Sequence, residues 1–215
     1  MSASAAPESA KKRSSRRHFD QWSRTYEKDP VSRFIAEIQR AAFEGLALGP
    51  EDRFLDVGCG SGAAVRRAAA VAQRAVGVDL SPGMITRARE LACDAPDAEF
   101  VEGDAEALPF ADAEFTAVLC TTSFHHYPDP AAAVREMARV LEPGGRLAIG
   151  DGCTDNPVAR LLNLGLRVLE RSHVSIYSSG RVRRLVEQAG LTHVDTRFLY
   201  GRGYQICEAH KVLSA

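Results

Sequence analysis

The chain reads as an α/β fold: a doubly wound, mostly parallel sheet with helices on both faces that closes on an antiparallel strand. Three observations predict it. The stretch Arg53 to Gly62, RFLDVGCGSG, is a short apolar strand that breaks into three glycines (Gly58, Gly60, Gly62) before the helical run Ala63-Ala64-Val65. Beyond it, short β-branched runs alternate with amphipathic helical segments, the pattern of a parallel sheet. The last two strands have no helix between them and are joined by Gly201-Arg202-Gly203, so they form a hairpin.

Taken in order, Met1 to Ser15 is Ser/Ala-rich and aperiodic, so residues 1–17 are expected to be a disordered basic tail and residues 18–215 a single domain. Phe19, Trp22 and Tyr26 share one face of a short helix, and Asp29-Pro30 caps and starts a second; together they make cap helices over 18–49. Strands are expected at 53–57, 75–79, 99–102, 115–120 and 146–150, with helices at 62–72, 82–91 and 130–141 between them. Ser81-Pro82 and Asp129-Pro130 repeat the cap-then-proline start. Past the fifth strand, Asn156-Pro157 opens a helix carrying Leu161, Leu162, Leu164, Leu166, Val168 and Leu169 nearly all round its surface. That pattern suits a helix covered on more than one side, or a lid within 152–180.

Composition sets the class. At 215 residues, 45% apolar and 26% charged, the chain is one soluble-type globular domain. A net charge of −1 gives no general attraction to nucleic acid, and no apolar run is long enough to span a bilayer. The basic N-terminus is followed by no apolar segment, so it reads as neither signal peptide nor anchor. Five cysteines without a CxxC pair point to a reducing, cytoplasmic setting rather than a disulfide or zinc framework. Charge is uneven: Lys and Arg are absent from Glu90 to Asp129. Arg160, Arg167, Arg171, Arg181, Arg183 and Arg184 gather near the end, as a solvated helix face or an anion-binding lid. Oligomeric state is left open.

In an open parallel sheet, ligands bind outside the carboxyl ends of the strands. The first strand brings Asp56 and the glycine turn there, whose backbone N–H groups are expected to face the ligand. The second brings Asp79, 21 residues beyond Gly58, the spacing of a carboxylate that holds ribose hydroxyls. The third brings Asp104 and Ala105, the fourth the run from Cys120 to Tyr127, and the fifth Asp151-Gly152-Cys153. The glycines alone also satisfy a dinucleotide fingerprint, leaving a nicotinamide-dependent oxidoreductase or a non-catalytic cofactor-binding protein as alternatives. Two observations favour a different cofactor. No Tyr has a Lys four residues later to supply a hydride enzyme's proton, and carboxylates stand where an amino group and an adenine amine would be held. S-adenosylmethionine fits.

LDVGCGSG, VGVDLSPGMITRARE, FVEGDAEALPFADAEFTAVLC and MARVLEPGGRLAI resemble, in order, the motifs of class I S-adenosylmethionine-dependent methyltransferases. The nearest group is the small-molecule enzymes similar to the ubiquinone/menaquinone C-methyltransferases, whose opening element FDQWSRTYE also resembles. The resemblance implies a Rossmann-like seven-stranded sheet of order 3-2-1-4-5-7-6. It implies Asp56 near the methionine amino group, Gly58, Cys59 and Gly60 lining it, and Asp79 on the ribose diol. Leu80 and Met84 would flank the adenine, with Asp104 and Ala105 on its edge, Cys120 and Thr121 at the methionine end, and Trp22 and Tyr26 closing over the sulfur.

The implied reaction is in-line displacement of the methyl group onto a carbon, oxygen or nitrogen of a small-molecule acceptor. Positioning and water exclusion can lower such a barrier by roughly 7–11 kcal/mol. His125 and His126, after the fourth strand, are the candidate general bases, with loop packing the alternative. The surrounding segments are aromatic and apolar, suggesting a hydrophobic or aromatic acceptor. Cys59, Cys120 and Cys153, at the ends of three neighbouring strands, would bind a soft metal if they shared a cleft, but core filling accounts for them and no metal site is expected.

Overall fold

A computed structural model describes residues 9–25, 30–169 and 173–213, and within it the side chains of 30–34, 162 and 165–169 are left aside. The elements run α1 (Ala10–Trp22), α2 (Pro30–Gly45), β1 (Arg53–Val57), α3 (Ala63–Ala69), β2 (Arg74–Asp79), α4 (Pro82–Leu91) and β3 (Ala98–Glu102). Then come β4 (Phe115–Thr121), a 3-10 turn (Phe124–His126), α5 (Pro130–Val140), β5 (Leu141–Gly152), α6 (Pro157–Leu169), α7 (Ser179–Gln188), β6 (Leu191–Leu199) and β7 (Tyr204–Lys211).

The sheet order is β3-β2-β1-β4-β5-β7-β6, with β1 to β5 parallel and β7 antiparallel to both neighbours. Strand order reverses between β1 and β4, and Asp56 sits in the centre of the sheet, opposite Gly77 on one side and Leu119 on the other. Successive residues alternate between two cores. Phe54, Ala117, Leu119 and Ala148 pack under α2, α3 and α4, while Leu55, Val57, Val118 and Ile149 pack under α5 and α7. A sheet covered on both faces explains strands that read as continuous apolar runs. Each fully buried Phe, Leu, Ile or Val contributes roughly 1.5–3 kcal/mol.

The cap-then-proline signals act as expected. Ser81 Oγ accepts from Met84 N–H at 3.1 Å and Asp129 Oδ1 from Ala132 N–H at 2.9 Å, each cap stabilising its helix by about 1 kcal/mol.

Three expectations need correction. Residues 10–17, expected in a disordered tail, form the first half of α1, capped by Ser9, whose Oγ accepts from Lys12 N–H at 3.2 Å. Two of their basic side chains are tied to the carboxyl end of β3, Lys12 pairing with Asp104 and Glu106 and Arg16 with Glu102. The helix after Asn156 is not covered all round, because Val158, Leu161 and Leu164 stand 65%, 72% and 61% exposed. The fifth strand starts at Leu141, where a register irregularity against β4 lets the chain pair before the Gly144-Gly145 turn.

Candidate active site

The turn after β1 is shaped by what lies behind it. Gly58 has φ +74°, and a Cβ there would fall 2.4 Å from Ser123 Oγ and 2.9 Å from Tyr127 OH. Gly60 has φ +52° with open space where its Cβ would be, so a ligand can rest against the backbone. Three N–H groups of the turn, those of Gly58, Cys59 and Gly60, are taken up by β2 and its last residue. Gly58 and Cys59 both donate to Val78 O, at 2.8 and 3.1 Å, and Gly60 donates to Asp79 Oδ2 at 2.9 Å. These three donors staple the turn to β2.

One cavity runs along the ends of β1 to β4. Gly58, Gly60, Asp79, Leu80, Met84, Asp104, Ala105 and Thr121 line its floor, and α1 roofs it with Lys12, Arg16, Phe19 and Trp22. Asp79 is fixed by N–H donors from Gly60 and Ser81. Burial raises its pKa against those bonds. Asp104 Oδ1 accepts from Glu106 N–H at 3.0 Å, and its Oδ2 takes the Lys12 ammonium at 2.5 Å. Asp20 of α1 reaches α4, where its Oδ1 accepts from Ser81 Oγ at 2.5 Å and Gly83 N–H at 3.0 Å, a second attachment of the roof.

Asp56 is the unusual group. It is wholly buried, and among the described residues neither carboxylate oxygen has a hydrogen-bond partner. Burial, with the Asp79 charge, pushes its pKa up to about 8. A buried carboxylate left unbonded costs several kcal/mol unless it keeps its proton or meets a cation. Asp79 and Asp104 line the cavity where a diol and an adenine amine would meet them, and Asp56, which lines neither cavity, would answer an ammonium at the glycine turn from within the sheet, so the residues present fit S-adenosylmethionine.

Two of the expected cofactor residues point their side chains elsewhere, so any contact they make with the cofactor is through backbone. The Cys59 side chain lies in the core over Gly77, and Cys120 packs on the opposite face of the sheet with Sγ 3.3 Å from Ser123 Oγ. Burial raises both thiols, Cys120 to about 12. The two sulfurs therefore share no cleft, and among the described residues no group of three His, Cys, Asp or Glu side chains is placed to hold a metal ion. Tyr26 lies outside the described residues.

A second cavity adjoins the first. Trp22, Phe19, Thr122 and His126 border both, and His125, Asp151, His173, Ile176 and Tyr204 form its far wall. Thr122, between the two, holds φ +51°, a strained conformation for a β-branched residue. His126 is buried and meets the edge of Phe19 with ring centroids 4.9 Å apart.

His125 is set differently. Its Nδ1 lies 2.7 Å from Asp151 Oδ1, its backbone N–H donates to Asp151 Oδ2 at 3.0 Å, and its carbonyl accepts from Val174 and Ser175 N–H. Asp151, nearly fully buried, also accepts from Gly152 N–H at 2.6 Å. A carboxylate only accepts, so Nδ1 carries the hydrogen and Nε2 of a neutral ring keeps its lone pair.

Sequence reasoning placed Asp151 at a strand end without giving it a role. It missed His173, whose ring centroid is 5.3 Å from that of His125 and whose Nε2 lies 2.9 Å from Asn163 Oδ1. Asp151 had a signal in its position; His173 sits in an aperiodic stretch and had none.

A family model described as "Methyltransferase domain" matches residues 55–149. A demethylmenaquinone methyltransferase from Mycobacterium sp. (strain KMS) is 32% identical over 164 residues, 71% of this chain and 69% of that protein. A 27-O-demethylrifamycin SV methyltransferase from Amycolatopsis mediterranei (strain S699) is 44% identical over 110 residues, 49% of this chain. The match takes in 40% of that relative, so the chain spans less than half its length. Among solved structures, the YcgJ protein from Bacillus subtilis superposes with a TM-score of 0.73 at 21% identity, covering 83% of this chain and all of that one, a likeness of fold.

Proposed function

The chain belongs to the class I S-adenosylmethionine-dependent methyltransferases, and from that premise we propose that it methylates a small molecule whose acceptor atom must first lose a proton to His125. The single observation that carries this reading is the His125–Asp151 pair at 2.7 Å, facing the cavity next to the cofactor groove.

The cofactor, when bound, supplies an electrophilic sulfonium methyl. Asp56 would hold its ammonium, Asp79 its diol and Asp104 its adenine amine, with Leu80 and Met84 against the ring. Asp151 orients the imidazole of His125 and stabilises the imidazolium formed when Nε2 takes the acceptor's proton. A hydroxyl, phenol or enol needs that step, and a neutral amine does not. Phe19, Trp22, Ile176 and Tyr204 wall the acceptor cavity with flat or apolar surface, which supports a hydrophobic or aromatic acceptor. The names of two relatives, a 27-O-demethylrifamycin SV methyltransferase and a demethylmenaquinone methyltransferase, agree with a small-molecule acceptor.

The test is His125→Ala beside His126→Ala, with turnover on a panel of phenols and enols and calorimetric titration of S-adenosylhomocysteine. Loss of the base at 125 is expected to lower kcat by about 10²–10⁴ with cofactor affinity unchanged. Unaltered turnover in His125→Ala removes the proposal, and a larger loss in His126→Ala moves the base to that residue.

A further inference from the structure

Helix α6 carries a polar contact on its inner side and an exposed apolar strip on its outer side. Asn163 faces the protein, where its Oδ1 accepts from Ile176 N–H at 2.9 Å and lies 2.9 Å from His173 Nε2, and its Nδ2 donates to Ile176 O. Roughly 160° around the helix axis from Asn163 is Leu161. Leu161, with Val158 and Leu164 at intervals of three, makes an apolar strip 61–72% exposed. Soluble-protein helices turn such a strip inward. Here Asn163 makes an inward contact while Val158, Leu161 and Leu164 are left outside.

Charge flanks the strip. Arg160 is exposed, with Nε donating to Thr154 O at 2.7 Å. The start of α6 is tied to the β6–β7 hairpin by Asn156 Nδ2 donating to Gly201 O, which brings exposed Arg202 and half-exposed Tyr200 alongside. Of the nearby acids, Asp155 is engaged by the N–H and hydroxyl of Ser179, and Glu37 accepts from the Tyr200 hydroxyl.

We propose that the outward face of α6, with Arg160 and Arg202 at its edge, docks on an anionic lipid surface and lays the helix in the interfacial plane. The dimensions argue against a second copy as occupant. Thirteen residues make a rod about 20 Å long and about 10 Å wide, a strip on the order of 200 Å², against the roughly 800 Å² per partner of a stable interface. An interfacial helix needs only a narrow apolar strip with basic residues beside it. The 173–176 segment that α6 grips is also a wall of the acceptor cavity, so docking sets that cavity against the bilayer. This last step rests on the acceptor assignment above, whereas lipid binding does not.

Vesicle flotation of the full chain tests it, with phosphatidylcholine vesicles against vesicles carrying 30 mol% (about a third) phosphatidylglycerol, a lipid that tests the charge requirement. Binding is expected only to the anionic vesicles, to weaken with salt, and to fall about tenfold or more in Leu161→Glu and in Arg160→Glu/Arg202→Glu. Circular dichroism and S-adenosylhomocysteine affinity should match the parent in each variant. Turnover of a water-soluble acceptor should also survive in Leu161→Glu, which separates this inference from the base assignment. No flotation of the parent chain, equal binding to both vesicles, or binding indifferent to Leu161→Glu overturns it. So does a parent chain that light scattering finds dimeric and Leu161→Glu finds monomeric.

Discussion

Lys12 Nζ stands 2.5 Å from Asp104 Oδ2 and 2.5 Å from Glu106 Oε2, joining the first turn of α1 to the end of β3 across the mouth of the cofactor groove. Burial lowers the pKa of this ammonium, but the two carboxylates outweigh it and leave the pKa raised, so the ammonium stays charged throughout the neutral range. The carboxylate suited to an adenine amine is therefore also the anchor of the helix that roofs the groove.

Lys12→Ala should loosen that roof. Cofactor association and dissociation should both speed up by about two- to fivefold, the equivalent of about 0.5–1 kcal/mol for a partly exposed ion pair. The dissociation constant should change less than either rate. Trp22, the single tryptophan, lines the groove and reports binding in stopped-flow fluorescence.

Asp56 should make both stability and cofactor binding depend on pH. Its native pKa of about 8 lies above its ordinary 3.8. Between those values the folded protein holds a proton that the unfolded chain lacks, so stability falls as pH rises across that window and levels off above it. A ligand ammonium favours the charged form, so near pH 7 binding should release about one proton. Calorimetry in buffers of different ionisation enthalpy measures that release, and Asp56→Asn should abolish it while flattening Tm against pH.

Asp151→Asn keeps the size of the side chain but lets an amide NH2 face His125 Nδ1, which favours the tautomer whose Nε2 carries the hydrogen. The expected result is a kcat lowered by about 10²–10⁴ with cofactor affinity within about twofold of the parent. A shift confined to KM would assign Asp151 to acceptor binding instead.

Two glycines separate folding from binding. Gly58→Ala places a methyl 2.4 Å from Ser123 Oγ at φ +74°, and overpacking plus strain should remove about 2–5 kcal/mol of stability. Gly60→Ala meets no atom within 4 Å, so it should lose only about 1 kcal/mol for its left-handed backbone while sharply weakening cofactor affinity. Denaturant melts and calorimetry on the two variants read the difference.

Much of the fold and the cofactor groove was legible because the signals are local. Ser81-Pro82 and Asp129-Pro130 start helices through bonds to groups three residues on, and the glycine run marks a turn whatever surrounds it. Asp79 and Asp104 could be placed because a strand in a parallel sheet delivers its last residue to the same edge. The side-chain directions of Cys59 and Cys120, on opposite faces of the sheet, were not legible, because strand-end position does not say which way a side chain points.

From its own order of residues the chain settles the alternation of strands and helices, the glycine bend and the carboxylates at three strand ends, since each depends on neighbours a few positions away. Folding in three dimensions settles the rest. Lys12 meets Asp104 across 92 positions, His125 acquires its carboxylate from the next strand over, and Asn163 of α6 finds its partners at 173–176 while Leu161 and Leu164 stay outside. Ion pairs and hydrogen bonds of that kind carry no periodicity along a chain. They exist only once packing has brought distant segments together.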